Sequence, residues 1–255
     1  MRPTLEVEGL KLVRSPAAQV SGAVLALVIP LAAAGMMWAA RSGGDSPMAL
    51  KVRPMIIGTG WAAYLGMLGE LMSVAALLAI GVVLSWVVGR EFTDRTVGSL
   101  LALPTPPWQT VVAKVAVTTV WALACGALSM LVALPLGLAL GLGVPGIETV
   151  GSAAKLATIL LLMTFLAMPL AWVSTRLRGY LSGISTLIGL IVVTQLVTIA
   201  GAGAWFPYAA PSMWAGMGGP EAAAVVTPLQ LSLAIPVGLL GTWAAARRWQ
   251  RSELV

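Results

Sequence analysis

The sequence predicts an all-α membrane protein of six spans, and three observations carry that expectation. Of 255 residues, 59% are hydrophobic and only 9% charged, and the mean hydropathy is +0.95, above the roughly 45–50% apolar content of soluble domains. Six apolar regions each reach the ~20 residues a helix needs to cross a hydrocarbon core about 30 Å thick. Lys and Arg gather at alternate ends of these regions, as they do when positive flanks stay on one side of a bilayer. A single membrane domain over residues 1–255 follows, since no linker is long enough to divide the chain.

Residues 1–15 mix Leu5, Leu10, Leu12 and Val13 with Glu6, Glu8, Lys11 and Arg14. This short, imperfectly amphipathic stretch suits a segment lying along the membrane interface, with a frayed, solvated tail as the alternative. Ser15–Ala40 carries no charge. Ala32 and Ala34 resemble a cleavage site, but the run exceeds the 7–15-residue core of a signal peptide, so a retained helix is expected. Pro54–Gly89 is interrupted only by Glu70, and Val115–Ile147 and Leu156–Thr175 are free of charge. Gly137 and Gly141 form a G-x-x-x-G, a spacing that permits close helix approach but is common by chance in Gly-rich spans.

The apolar region Gly179–Pro220 exceeds one span, and its helix should end near Gly201. Beyond it, "GAGAWFPYAAPSMWAGMGGP" combines Gly and Pro with Trp205, Tyr208 and Trp214, aromatic types that favour the membrane interface. Residues 201–226 therefore read as a broken or re-entrant outer segment, shielded by protein because lipid-exposed irregular backbone is too costly. An ordinary apolar outer loop is the alternative. The last helix has a start signal in Thr227 as cap and Pro228 at the first helical position, and Pro236 should kink it.

With both termini inside, eleven of the fifteen basic residues fall on the cytoplasmic side: Arg2, Lys11, Arg14, Arg90, Arg95, Lys114, Arg176, Arg178, Arg247, Arg248 and Arg251. Arg41, Lys51, Arg53 and Lys155 fall outside. This distribution suits bilayer topology rather than a patch that tracks nucleic-acid phosphates. His is absent and Cys125 is the single cysteine, so an intrachain disulfide is impossible and the commonest general base and transition-metal ligand are missing. No catalytic or metal-binding constellation can be assembled, which disfavours a membrane-embedded enzyme.

Charge concentrates between the second and third spans, in "GREFTDRTVGSLLALPTPPW". Phe92, Thr96, Leu100 and Leu103 share one helical face while Glu91, Asp94 and Arg95 fall mainly elsewhere, predicting an amphipathic helix over 91–103. Pro104 would stop it, Thr105 would cap the next helix and Pro106 would begin it. Lys114 would snorkel back to the interface. Without a further role, the stretch is a polar connector resting on headgroups.

Glu91, Thr96, Leu100, Leu101, Pro104 and Lys114 form an E-x-x-x-x-T, apolar, Pro, Lys pattern that resembles the cytoplasmic segment of ABC-2 type permeases, the membrane subunits of bacterial ABC exporters. "WFPYAAPSMWAG", Trp205–Gly216, is similar to the segment before the last helix of such proteins. The resemblance implies that residues 91–103 form a coupling helix on a separate ATPase subunit, with Glu91, Phe92, Thr93, Asp94, Arg95, Thr96, Ser99, Leu100 and Leu103 as contacts. It also implies that two permease chains, identical or homologous, form one pathway in the bacterial inner membrane. The sequence has no G-x-x-x-x-G-K-[ST] phosphate loop, so ATP and Mg are expected on the partner and no cofactor on this chain.

The few charges in the spans suit a drug, an antimicrobial peptide or a lipid as solute. Glu70, Gln195, Thr198, Trp205, Tyr208 and Trp214 are the candidate gate or pathway residues. For Glu70 the plainer reading is a place at the outer interface, and for Gln195, Thr194 and Thr198 it is interhelical packing. Met55, Met67, Met72, Met163 and Met168 could line an adaptable route or fill the core. A proton- or ion-driven secondary transporter using Glu70 is the alternative function, since an acid within a span is a functional candidate.

Overall fold

The computed structural model describes residues 1–42, 47–53, 56–98 and 105–251, and every regular element among them is helical. A short helix, α1 (Arg2–Val13), precedes the first of six helices long and apolar enough to cross a membrane. Those six are α2 (Pro16–Arg41), α4 (Gly60–Thr93), α5 (Pro107–Ala139), α6 (Thr149–Arg176), α7 (Tyr180–Ile199) and α10 (Pro228–Arg251). The connections hold α3 (Pro47–Val52), a 3₁₀ turn at Gly203–Trp205, α8 (Ala210–Ala215) and α9 (Gly219–Ala224). Successive spans run in opposite directions, which puts both termini at one end. There Phe92 at the end of α4 meets Trp249 at the end of α10, and Lys114 near the start of α5 meets Glu8. At the opposite end Arg41 donates to the Leu140 carbonyl at 2.8 Å.

Prolines set the breaks within the spans. Pro30 has no N–H to give the Ala26 carbonyl four residues earlier, and α2 widens there into a π-helical turn, Val24–Val28. α6 breaks at Met168 ahead of Pro169, and α10 breaks at Leu233, three residues ahead of Pro236. At the start of α10 the Gln230 carboxamide accepts the backbone N–H of Thr227 at 2.7 Å and its hydroxyl at 3.0 Å, with Pro228 at the first helical position as expected. α7 ends at Ile199, and Gly201 takes a left-handed φ of 81°. That geometry lets the N–H of Ala202 reach the Val197 carbonyl at 3.1 Å and close the helix.

Two boundaries depart from the charge-free runs because a lysine lies inside each helix. α5 starts at Pro107, with Pro106 rather than Thr105 at the cap, and α6 starts near Thr149, before Lys155.

The core forms around α4 and α6, where 67% and 61% of the most apolar stretch is buried, against 11% for α7. Leu68, Met72 and Ile80 of α4 join Ile159, Leu160 and Met163 of α6 in one cluster. Met67 and Met168 are buried as well, so the described methionines of the set fill the core rather than line an open route; Met55 lies outside the described residues. Gly238 and Gly241 let α10 cross α6 at the backbone of Phe165 and Pro169, the close approach that small residues permit between membrane helices.

One glycine of the G-x-x-x-G likewise makes a contact within the chain. Gly137 lies against the Trp61 ring, while Gly141 turns the chain after α5 with φ 71°.

At the terminal end Trp249, only 1% exposed, packs edge-on to Phe92 with ring centroids 5.7 Å apart. Its indole donates to Thr175 Oγ1 at 3.1 Å. Thr175→Val keeps the shape and removes the acceptor, leaving a buried N–H unpaired. The expected cost is about 1–3 kcal/mol, read as a lowered unfolding midpoint in detergent.

Candidate functional site

α4 has 34 residues and spans about 51 Å at 1.5 Å per residue, longer than the hydrocarbon core of about 30 Å. Its last turns can therefore carry charge beyond the apolar bundle. Glu91, Phe92 and Thr93 belong to this helix rather than to a separate amphipathic one. The chain leaves it at Asp94 and Arg95, and Arg95 takes a left-handed φ of 56°, which stops the helix. The expected helix over 91–103 is thus corrected at its start. A new helical turn begins at Val97 and Gly98, while Ser99, Leu100, Leu101, Leu103 and Pro104 lie outside the described residues.

Glu91 and Lys114 are the centre of a buried ion cluster. Lys114 Nζ lies 2.9 Å from Glu91 Oε1 and 2.6 Å from Glu8 Oε2, with its side chain 1% exposed. Lys11 Nζ closes the square at 3.2 Å from both Glu8 Oε1 and Glu91 Oε1. The second oxygen of Glu91 accepts the Thr96 hydroxyl at 2.6 Å, and the Glu91 carbonyl accepts the Thr96 N–H at 3.0 Å. Two acids and two lysines are mutually neutralised, as buried charges must be.

Burial opposes the ammonium of Lys11, but the charges and hydrogen bonds of Glu8 and Glu91 outweigh it and raise its pKa. Lys114 thus does not snorkel to the interface as expected. It points into the junction of α1, α4 and α5. A cavity of about 420 Å³ adjoins the cluster, with Arg14, Trp86, Arg90 and Asp94 also on its wall.

The remaining residues of this segment separate by role. Phe92 faces inward to Trp249, whereas Thr93 and Arg95 are exposed. Asp94 is exposed too and accepts from Arg90 Nε at 2.8 Å. Glu8 and Lys11 were not among the residues singled out from sequence. Their signal was present in the i,i+3 acid–base pair on a short helix flanking an apolar span, but nothing in the chain order shows that they meet Lys114.

At the opposite end, residues 201–226 are broken into the 3₁₀ turn, α8 and α9. A second cavity, about 260 Å³, forms where α4, α7 and α8 converge, and it unites Gln195, Thr198 and Tyr208 with Ser73, Ser212 and Met213. Burial pushes the Tyr208 phenol up to about 12, so it remains a neutral hydroxyl. Thr194 and Thr198 each donate back to their own helix, to Leu190 and Thr194 carbonyls.

Trp205 and Trp214 are not part of this cavity. Trp205 is 64% exposed, and the Trp214 ring lies 5.1 Å from Lys155 Nζ. Glu70 is buried, and Gly216 of the broken segment packs against its carboxylate. Gly216 has φ 129°, a conformation a side chain would strain. Lys155 is near enough for its charge to act on Glu70. Among the described residues, no group of acids or Cys is placed to hold a metal ion.

Six apolar spans, broken at one end and closed by paired charges at the other, define a multi-pass helical membrane protein. The chain belongs to the ABC-2 transporter family: a model described as "ABC-2 family transporter protein" matches residues 4–195. The match starts in α1 and ends at Gln195 in α7, so the resemblance noted at Trp205–Gly216 lies beyond it. No curated protein matches the chain.

Proposed function

We propose that the chain is the permease subunit of an ABC-2 type exporter, moving an amphipathic or hydrophobic solute outward. ATP, with Mg, is hydrolysed on a separate nucleotide-binding subunit. The observation that carries the reading, beside family membership, is the anchored end of α4. There the backbone from Glu91 to Thr96 is fixed by buried ion pairs while Thr93, Asp94 and Arg95 face outward.

A stiff, charged protrusion suits a site that must transmit force to a partner, since pre-ordered groups lose little freedom on docking and charges set register. Residues 91–103 serve as the docking segment. The terminal end, with eleven of the fifteen basic residues, faces the cytoplasm of a bacterial inner membrane. Two such chains, identical or homologous, and two ATPase subunits complete the transporter.

The solute class is supported by the cavity at the opposite end, where Gln195, Thr198 and Tyr208 present polar groups among apolar walls, the usual composition of a small-molecule site. Glu70, covered by Gly216 and near Lys155, belongs to the closure of that end rather than to an ion-driven step.

Mild-detergent extraction from native membranes followed by intact-complex mass analysis tests the assembly. Two permeases with two ATPases are expected, and a chain that always emerges without an ATPase overturns the proposal. Within the assembly, Glu91→Ala, which releases Thr96, and Phe92→Ala, which unseats the end of α4 from Trp249, should leave insertion intact and lower permease-dependent ATP turnover by about an order of magnitude, because the outward-facing Asp94 and Arg95 lose their fixed support. Unchanged turnover in both variants removes the assignment of this segment.

A further inference from the structure

We infer that Glu8 is a positioning residue of the docking segment: through Lys114 it holds the Glu91 carboxylate, and through Glu91 it holds Thr96, so that α1 and the end of α4 move as one body. The inference rests on the proposed docking role of residues 91–103 and extends it to the amino-terminal helix.

Three observations carry it. Glu8 is 2% exposed, although most of α1 faces outward, with Val7 52%, Leu10 58% and Val13 64% exposed. The outward apolar residues suit a face laid on the membrane, and the inward placement of Glu8 is accounted for by its ionic partners. The contact with Lys114 is 2.6 Å, closer than the 2.9 Å from Lys114 to Glu91, so Glu8 is a main partner of that cation and not a peripheral one. Lys11 bridges the same two acids a second time, from the same helix.

The arrangement also explains how the chain stays ordered after α4 ends. Thr96 directly follows Arg95, where the helix stops, and has the Glu91 side chain and carbonyl as its acceptors. An unanchored Glu91 would swing to follow Lys114 or solvent, and Thr96 would lose its fixed acceptor. Leu12, which packs with Ala18 and Val83 in a small cluster of its own, seats α1 against the bundle and leaves the ionic contacts to set its register.

The test compares Glu8→Gln with Glu6→Gln, an exposed acid on the same helix, in the complex reconstituted into lipid nanodiscs. Amide hydrogen exchange across residues 94–98 is expected to speed up about tenfold in Glu8→Gln, as for a local opening that has lost one anchor, and to stay at the parental rate in Glu6→Gln. Permease-dependent ATP turnover should fall at least threefold in Glu8→Gln alone, with the ATPase still co-purifying. In a Lys114→Met background, adding Glu8→Gln should not speed exchange or lower turnover further and should partly reverse both, because it removes an acid left beside Glu91 without its main cation.

Parental exchange in Glu8→Gln overturns the inference whatever the function of the segment. So does additive behaviour with Lys114→Met, and so does faster exchange with unchanged turnover in a complex that retains its ATPase. Failure of the parental chain to hold an ATPase is a different result and overturns the docking role itself.

Discussion

Lys114→Met is expected to destabilise the protein by about 3–5 kcal/mol, the usual cost of removing one partner from a buried ion pair. The lysine side chain is 1% exposed and lies within 3 Å of two carboxylates. Its loss leaves Glu8 and Glu91 close together with only the half-exposed Lys11 between them. Methionine fills much of the same volume, so the effect isolates charge rather than packing. A fall of roughly 10 °C in the unfolding midpoint is the expected reading at this chain length.

The triple variant Glu8→Gln, Lys114→Met, Glu91→Gln removes the three buried charges and should regain most of the loss, because the one ion left, Lys11, is half-exposed and keeps much of its hydration. A single variant that melts with the parent would show that the charges are not confined as the distances imply.

The second large effect is expected at Gly89, where α4 passes the start of α7. A Cβ there would overlap the backbone N and Cα of Tyr180 and lie 2.6 Å from the carbonyl carbon of Gly179. Backbone cannot rotate aside as a side chain can, so Gly89→Ala must push the first turn of α7 away from α4. The cost is about 2 kcal/mol or more, in the range found for overpacking, and it should appear as a lowered unfolding midpoint. Gly66→Ala on the same helix meets nothing within 4 Å. It should be neutral or slightly stabilising, since alanine favours the helix.

The spans were legible in the sequence because a charge-free run of about 20 residues has few uses outside a bilayer. Their ends were less so, for a physical reason shown by Lys114 and Lys155. Each lies inside a helix, near a carboxylate from another element, and a scan that stops at charge cannot anticipate such a partner. The segment after α4 was misread for a related reason. Phe92 and Thr96 keep a helical spacing, but Phe92 ends one helix and Thr96 follows the stop.

Glu91 itself was found from sequence as an anomalous charge, and the structure gives it partners. Glu8 was not, because its meeting with Lys114 joins residues 106 positions apart. At the opposite end the aromatic and Gly-rich composition announced an interrupted backbone, and α8 and α9 are short as that implies. The burial of Glu70 required the fold of that segment over α4, which no local pattern encodes.

The quartet of Glu8, Lys11, Glu91 and Lys114 has one property that its individual contacts do not display. Its formal charges sum to zero, so displacing it as a rigid unit across the electric field of an energised membrane transports no net charge. A single unpaired lysine moved through the full field would instead exchange about 2.3 kcal/mol with each 100 mV. Motion of the quartet itself is therefore electrically silent. The work of moving it is set by contacts with whatever docks there, and the membrane voltage neither assists nor resists it.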